Sequence, residues 1–297
     1  MPAFWHWFVV GLTVLFIIWC VWLVSWSAKQ GPKNVGDEDL VGHKWDGDLE
    51  EWNNPAPKWW LYLYFITIIW GIGFLIAYPG FGNFKGALGW SSAGQYEAEM
   101  AAAAATYEPI YEEFAAMDFE ALSQDPEANA LGRSLYASYC TTCHGSDARG
   151  ATGYPNLTDS DWQWGSSEQA ITSTILNGRT AVMTPWGQIL GSDEAVTNMA
   201  KYVRSLSGLE DADETIQAMQ QQFTMFCSAC HMPDGTGNQM LGAPNLTDDV
   251  WLYGSSIETI RTTINEGRNG QMPAHGNLLG ENRTKILAAY VYSLAEK

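Results

Sequence analysis

A five-residue pattern occurs twice in this chain, inside a longer repeat. It constrains the fold more than any other feature. Cys140-Thr-Thr-Cys143-His144 recurs as Cys227-Ser-Ala-Cys230-His231. A matched segment follows each copy: PNLTDSDWQWGSSEQAITSTILNGRTAVM from Pro155 faces PNLTDDVWLYGSSIETIRTTINEGRNGQM from Pro244. The ends correspond as well, residues 200–206 against 289–294. Two tandem copies of one small helical domain are expected, over 126–208 and 209–297. In each, a helix enters the Cys motif and an irregular segment follows. A middle helix (168–176; 257–266) then leads into a loop carrying Met and a terminal helix (193–206; 283–294). Gly178 and Gly267 stop the middle helices, as glycine does just past a helix end.

Cys-x-x-Cys-His is the attachment signature of haem c. Two thiols add across the two porphyrin vinyl groups, and the adjacent His meets the iron from one face. A redox dithiol does not require the His, and a zinc site needs a second ligand pair nearby. The two motifs use four of the five cysteines. Two covalently bound haem c groups are therefore expected, held by Cys140, Cys143 and His144 and by Cys227, Cys230 and His231. The opposite iron face needs a ligand, and Met183 and Met272 occupy equivalent repeat positions. A thioether there suits low-spin electron transfer and raises the potential. Met199 matches Leu287, Met240 lies in an insertion, and Met232 adjoins a ligating His; none is read as a ligand. His275 matches Trp186 and is also read as non-ligating. Arg179 and Arg268 are read either as propionate partners or as solvated helix-end residues. Whether each Met serves the haem of its own repeat or of the other is left open by the spacing.

The N-terminal third is different in kind. Residues 4–26 and 59–78 contain no Asp, Glu, Lys or Arg. Each run has the ~20 residues that cross a bilayer as a helix, and Trp and Tyr crowd their ends as interfacial aromatics do. No basic n-region or small-residue cleavage site marks a signal peptide. Cys20 is read as apolar filler and His6 as an interfacial residue. The segment between the spans holds Lys29, Lys33, Lys44 and Lys58, which places that loop in the cytoplasm and both termini across a bacterial inner membrane, in the periplasm. Residues 1–90 thus form an anchor, and 91–125 an Ala- and Glu-rich helical linker, broken at Pro109, that serves as a stalk or packs on the next domain.

Charge is just as unevenly distributed. The chain carries 33 acids and 15 bases, a formal net charge of -18. Residues 1–90 contribute about -2 and residues 91–297 contribute -16. Nucleic acid is excluded as a partner, since phosphate neutralisation needs a basic surface. An acidic tail instead suits a basic soluble cytochrome c as electron donor.

The halves resemble small class I cytochromes c. In that family a Pro carbonyl accepts the Nδ1–H of the proximal His, the role implied for Pro155 and Pro244, while Leu157 and Leu246 would pack on the haem. The whole chain resembles the dihaem subunit of cbb3-type cytochrome c oxidases, the CcoP/FixP family. Two spans precede two tandem Cys-x-x-Cys-His domains. Val41-Gly-His-Lys-Trp45-Asp46 and Asn53-Asn-Pro55-Ala-Pro57-Lys-Trp59-Trp60 match a stretch typical of that family. The resemblance implies an all-α protein that passes electrons toward a separate haem–copper subunit where oxygen is reduced, and a crosswise pairing of Met ligands. A cytochrome subunit of a periplasmic dehydrogenase and a dihaem peroxidase are the alternatives. No catalytic constellation is present, and two matched Met loops speak against a peroxidase.

Overall fold

The computed structural model describes residues 1–30, 40–52 and 57–295. They form two compact units, Met1–Ala105 and Thr106–Lys297.

In the first unit, α1 (Ala3–Gln30) and α2 (Lys58–Ala77) are both long and apolar enough to cross a membrane. Neither has a polar stripe, so no face is reserved for water, and Trp7, Ile69 and Trp70 are about two-thirds exposed. Side chains added at Gly71 or Gly73 would meet nothing. Those glycines therefore leave a stretch of α2 without side chains, of the kind that permits close helix approach. His6 accepts a hydrogen bond from the Asn83 amide at 2.9 Å, which ties the start of α1 to the turn after α2.

Between the spans lies a hairpin, β1 (Leu40–Trp45) with β2 (Leu49–Trp52). Asp46 and Gly47 turn it with positive φ, and Lys44 pairs with Glu50 at 2.6 Å. This hairpin and a second small sheet described below qualify the all-α expectation: the described residues are mostly helical, with two two-stranded sheets among them. The Asp-Gly dipeptide is a hairpin signal in its own right. Lys33 and the residues of the Asn53–Ala56 match lie outside the described residues.

Helix α3 (Ser92–Ala115) runs unbroken through Pro109, contrary to the expected break there. A proline costs one backbone bond and crowds the preceding turn, yet the helix continues past it into a packed segment. Tyr111 and Phe114 pack on a cluster of Leu122, Ala128, Ile286 and Ala289. Arg283 pairs with Glu108 and lies over the Tyr111 ring, 4.3 Å from its centroid. The C-terminal part of this segment thus packs rather than standing free. The break comes before α4 (Phe119–Gln124), where Asp118 caps Glu120 and Ala121.

The rest of the second unit follows in sequence: α5 (Pro126–Tyr139), α6 (Thr141–His144), α7 (Glu168–Asn177), β3 (Arg179–Met183), α8 (Gly187–Leu190) and α9 (Asp193–Leu206). The repeat then returns as α10 (Glu214–Gln217), α11 (Gln220–Phe226), α12 (Ser228–His231), α13 (Ile257–Glu266), β4 (Arg268–Met272) and α14 (Gly276–Ala295), which kinks at Gly280. The order matches the sequence repeat. The packing does not follow it. Strands β3 and β4 pair antiparallel in a register centred on Ala181 and Gly270. The chain leaving each strand therefore enters the other repeat. One core joins Leu135, Tyr136, Ile171 and Ile175 of the first repeat to Leu279, Leu287 and Val291 of α14. The other joins Val196, Met199 and Val203 of α9 to Phe223, Ile260 and Ile264 of the second repeat. Gly132 on α5 sits against the Tyr290 side chain of α14, and a Cβ there would overlap it. Each core is thus built from both tandem segments.

Candidate functional site

Each Cys motif forms one short helical turn. The amides of Cys143 and His144 bond back to the Cys140 carbonyl at 3.2 and 3.0 Å; those of Cys230 and His231 do the same to Cys227. This turn sets both thiols and the imidazole on one short element. The loop after each motif folds back over it. Gly150 N donates to His144 O and Leu157 N to Ala148 O, matched by Gly237 N to His231 O and Leu246 N to Gly235 O. Asn156 and Asn245 then hold identical turns, each accepting from the amide and hydroxyl of the Thr two residues on.

That fold-back delivers the two proline carbonyls. His144 Nδ1 lies 3.0 Å from Pro155 O, and His231 Nδ1 lies 3.1 Å from Pro244 O. A carbonyl only accepts, so Nδ1 carries the proton and Nε2 keeps its lone pair. Burial pushes both imidazoles below their ordinary pKa, against the opposing pull of the carbonyl bond. The rings are therefore neutral, the form that binds a metal. Burial also pushes the Cys140 and Cys227 thiols up to about 11, with a smaller push from the second Cys of each motif. Both of these thiols are therefore protonated at neutral pH. Cys143 and Cys230 are exposed, and no Cys is in a disulfide among the described residues.

The Met loops arrive crosswise. Met272 packs in the core that holds Cys140, Leu157 and Trp162. Its carbonyl lies against Gly178, where α7 ends, and the Met183 carbonyl lies against Gly267, where α13 ends. Both glycines have positive φ, 71° and 75°, and a side chain at either would strike the opposing loop. Two equivalent hydrogen bonds fasten the exchange: Trp186 N to Ile264 O at 2.8 Å, and His275 N to Ile175 O at 2.9 Å. Met183 lines a 220 Å³ cavity with Pro185, Gly267 and Arg268. The structure thus brings Met272 to the first motif's core and Met183 to the helix that ends beside the second's. Equal spacing in the two repeats carries no signal of this exchange.

The remaining candidates separate cleanly. Met199 is buried core, Met240 is 89% exposed, and Met232 is partly exposed with φ of 63°. Leu157 and Leu246 pack beside Cys140 and Cys227 respectively. Arg179 donates to Thr174 Oγ1 and Ala170 O and lies over Trp164; Arg268 repeats this with Thr263, Thr259 and Tyr253. Both guanidiniums are therefore anchored at their helix ends. Trp251 Nε1 and His275 Nδ1 are buried without a hydrogen-bond partner. Trp251 belongs to the wall of the second core, and its orphaned N–H is the donor that a haem carboxylate would satisfy. The donor set of two thiols, one neutral imidazole and one approaching thioether fits haem c at each motif.

Two family models match the chain: the N-terminal domain of cytochrome oxidase-cbb3, FixP, over residues 37–85, and cytochrome c oxidase, cbb3-type, subunit III, over residues 127–203 and 214–291. The cbb3-type cytochrome c oxidase subunit CcoP of Rubrivivax gelatinosus is 42% identical over 292 residues, covering 98% of this chain and 95% of the relative. The FixP subunit of Rhizobium meliloti is 38% identical over 277 residues, with 88% and 95% covered. The CcoP subunit of Cereibacter sphaeroides is 35% identical over 290 residues, with 90% and 98% covered. With its apolar helix pair, its two Cys-x-x-Cys-His cores and these matches along nearly its whole length, the chain belongs to the CcoP/FixP family of cbb3-type cytochrome c oxidase subunits.

Proposed function

We propose that the chain is the membrane-anchored dihaem subunit of a bacterial cbb3-type oxidase, passing electrons from a soluble periplasmic cytochrome c toward the oxygen-reducing subunit. The duplicated hydrogen bond from each motif His to a proline carbonyl carries this reading. That bond leaves each Nε2 aimed as a ligand, twice, at equivalent places. Cys140 and Cys143 would hold one haem c by thioethers, and Cys227 and Cys230 the other. His144 with Met272, and His231 with Met183, would ligate the irons. Bound there, haem c would supply a one-electron couple. The chain's own residues do the rest. The proline carbonyls orient the imidazoles, the Met thioethers favour the ferrous state, and the two apolar cores keep water out.

Oxygen reduction is placed in a different subunit, as membership of the CcoP/FixP family implies. The two apolar helices anchor it in the inner membrane. The lysines between them keep that loop cytoplasmic and place the acidic tail in the periplasm. The matches along the full length favour this reading over a dehydrogenase subunit or a peroxidase.

The test uses a chain whose second motif is disabled by Cys227→Ala and Cys230→Ala, so that one haem remains. Met272→Ala should turn that haem high-spin, open it to carbon monoxide and lower its potential, while Met183→Ala leaves it low-spin. The reverse result would show that each Met serves its own repeat. No change with either variant would remove both from the ligand set.

A further inference from the structure

The acidic surface is not shared equally by the two motifs. Residues 207–249 contain seven acids and no Lys or Arg. The corresponding stretch of the first repeat, residues 120–160, contains five acids with Arg133 and Arg149 among them. The formal charges are therefore -7 and -3 over segments of nearly equal length. Asp211, Asp213, Glu214, Asp234 and Asp249 all project into solvent; Glu210 is paired to Arg204.

The same base-free segment exposes large apolar side chains. Met225 is 67% exposed, Met240 89% and Leu241 52%. Backbone bonds tie part of this set to the motif itself. Gly235 N donates to Met232 O and Gly237 N to His231 O. The paired Asn238 and Ala243 then present Met240 and Leu241 at the tip of a small loop. That loop is longer by two residues than its counterpart in the first repeat. The exposed Cys230 lies in the same segment. Met side chains are flexible and polarisable and suit brief contacts with more than one partner surface. The Met240 loop rests on Trp162 and Trp164 of the first repeat, with Arg179 in the same cavity wall, while the rest of the exposed segment carries acids alone. An exposed apolar tip on a net-acidic segment is the complement of a protein whose exposed redox edge is apolar and ringed by lysines.

We infer that the second-motif face, centred on Met240 and Leu241 and bordered by Asp234 and Asp249, is where a basic soluble cytochrome c docks to deliver electrons, so that they enter at the Cys227–His231 site. This rests on the electron-donor reading above and assigns it to one of two otherwise similar sites. Opposite charge raises the encounter rate, and the small apolar centre lets the complex separate quickly.

The experiment uses the intact oxidase and a lysine-rich monohaem cytochrome c as the probe. Second-order reduction is followed by stopped flow from low to physiological ionic strength. One variant carries Asp234→Asn, Asp248→Asn and Asp249→Asn. A control carries Glu120→Gln, Glu127→Gln and Asp147→Asn in the first repeat, away from Asp248. Met240→Ser with Leu241→Ser forms a third. The second-repeat variants should lose severalfold in rate at low salt and flatten its salt dependence, while the control stays near the parent. Reduction by a small neutral reductant should be equal in all of them. An effect of the control as large as that of the second-repeat set overturns the assignment and moves docking to the first motif. A parent rate that is salt-independent instead overturns the basic-donor reading itself. Failure of the Met240/Leu241 variant to assemble with the other subunits, with donor kinetics unchanged in the acid variants, shows that the face is covered by an oxidase subunit.

Discussion

Ending the chain after Gly208 should destroy the first haem site, although every residue of the first repeat is retained. The reason is α14. It inserts Leu279, Ile286, Leu287 and Val291, all nearly fully buried, into the clusters around α5 and α7. Burying one such side chain is worth ~1.5–3 kcal/mol, so the four together contribute about 6–12 kcal/mol. A whole domain has only ~5–15 kcal/mol of net stability. The loss is therefore comparable with everything that holds the first domain folded, and Met272 is removed with it. The assay is expression in a strain that matures c-type cytochromes, followed by haem stain, optical spectrum and thermal melt. The expected product is proteolysed, or holds a high-spin haem and melts without a cooperative transition. A truncated chain with a single sharp melt and a low-spin spectrum would refute the crosswise core.

Three further outcomes are expected. Gly132→Ala should destabilise the second unit by about 1–3 kcal/mol through overpacking against Tyr290, partly offset by the ~1 kcal/mol helix preference of Ala over Gly; a raised melting temperature would contradict that contact. A reporter active only in the periplasm should work when fused after Tyr78 and fail when fused at Asp46, and the opposite pattern would be incompatible with periplasmic haem attachment. Removing residues 1–90 should release a water-soluble protein carrying two haems, because the second unit begins at Thr106; a product without haem would show that the anchor is needed for folding.

The parts of the site that depend on local spacing were legible in the sequence. Cys140 to His144 lie within one helical turn, and Pro155 and Pro244 return to them through short loops, so the resemblance to class I cytochromes c, on matched spacing, pointed to His144–Pro155 and its twin. The two apolar helices were equally plain, since lack of charge over twenty residues is a compositional fact. What stayed hidden was long-range. Tandem repeats read the same whether each terminal helix packs on its own copy or on its neighbour's. The choice is made by the β3–β4 pairing, whose residues Arg-Thr-Ala-Val-Met and Arg-Asn-Gly-Gln-Met carry no strong strand pattern. The Pro109 expectation failed because local propensity was outweighed by Tyr111, Phe114 and the Arg283–Glu108 pair. The hairpin at Asp46-Gly47 had its turn signal, but it sat in a loop where no core demanded strands.

The interlocked terminal helices also impose an order on biogenesis. In the proposed orientation the first Cys motif would reach the periplasm about 150 residues ahead of the end of α14. At ~5–20 residues per second that delay is on the order of ten to thirty seconds. Throughout it, the nascent first motif has no Met272 and no helix to close over it. The attachment machinery therefore meets an open polypeptide at the first site, and thioether formation there precedes the long-range contacts that later seal it. The second motif emerges with α9 already synthesised ahead of it. Its covering helix α9 would already be waiting when Cys227 arrives, and only Ile260 and Ile264 of α13, about 30 residues on, would still be needed to complete that core.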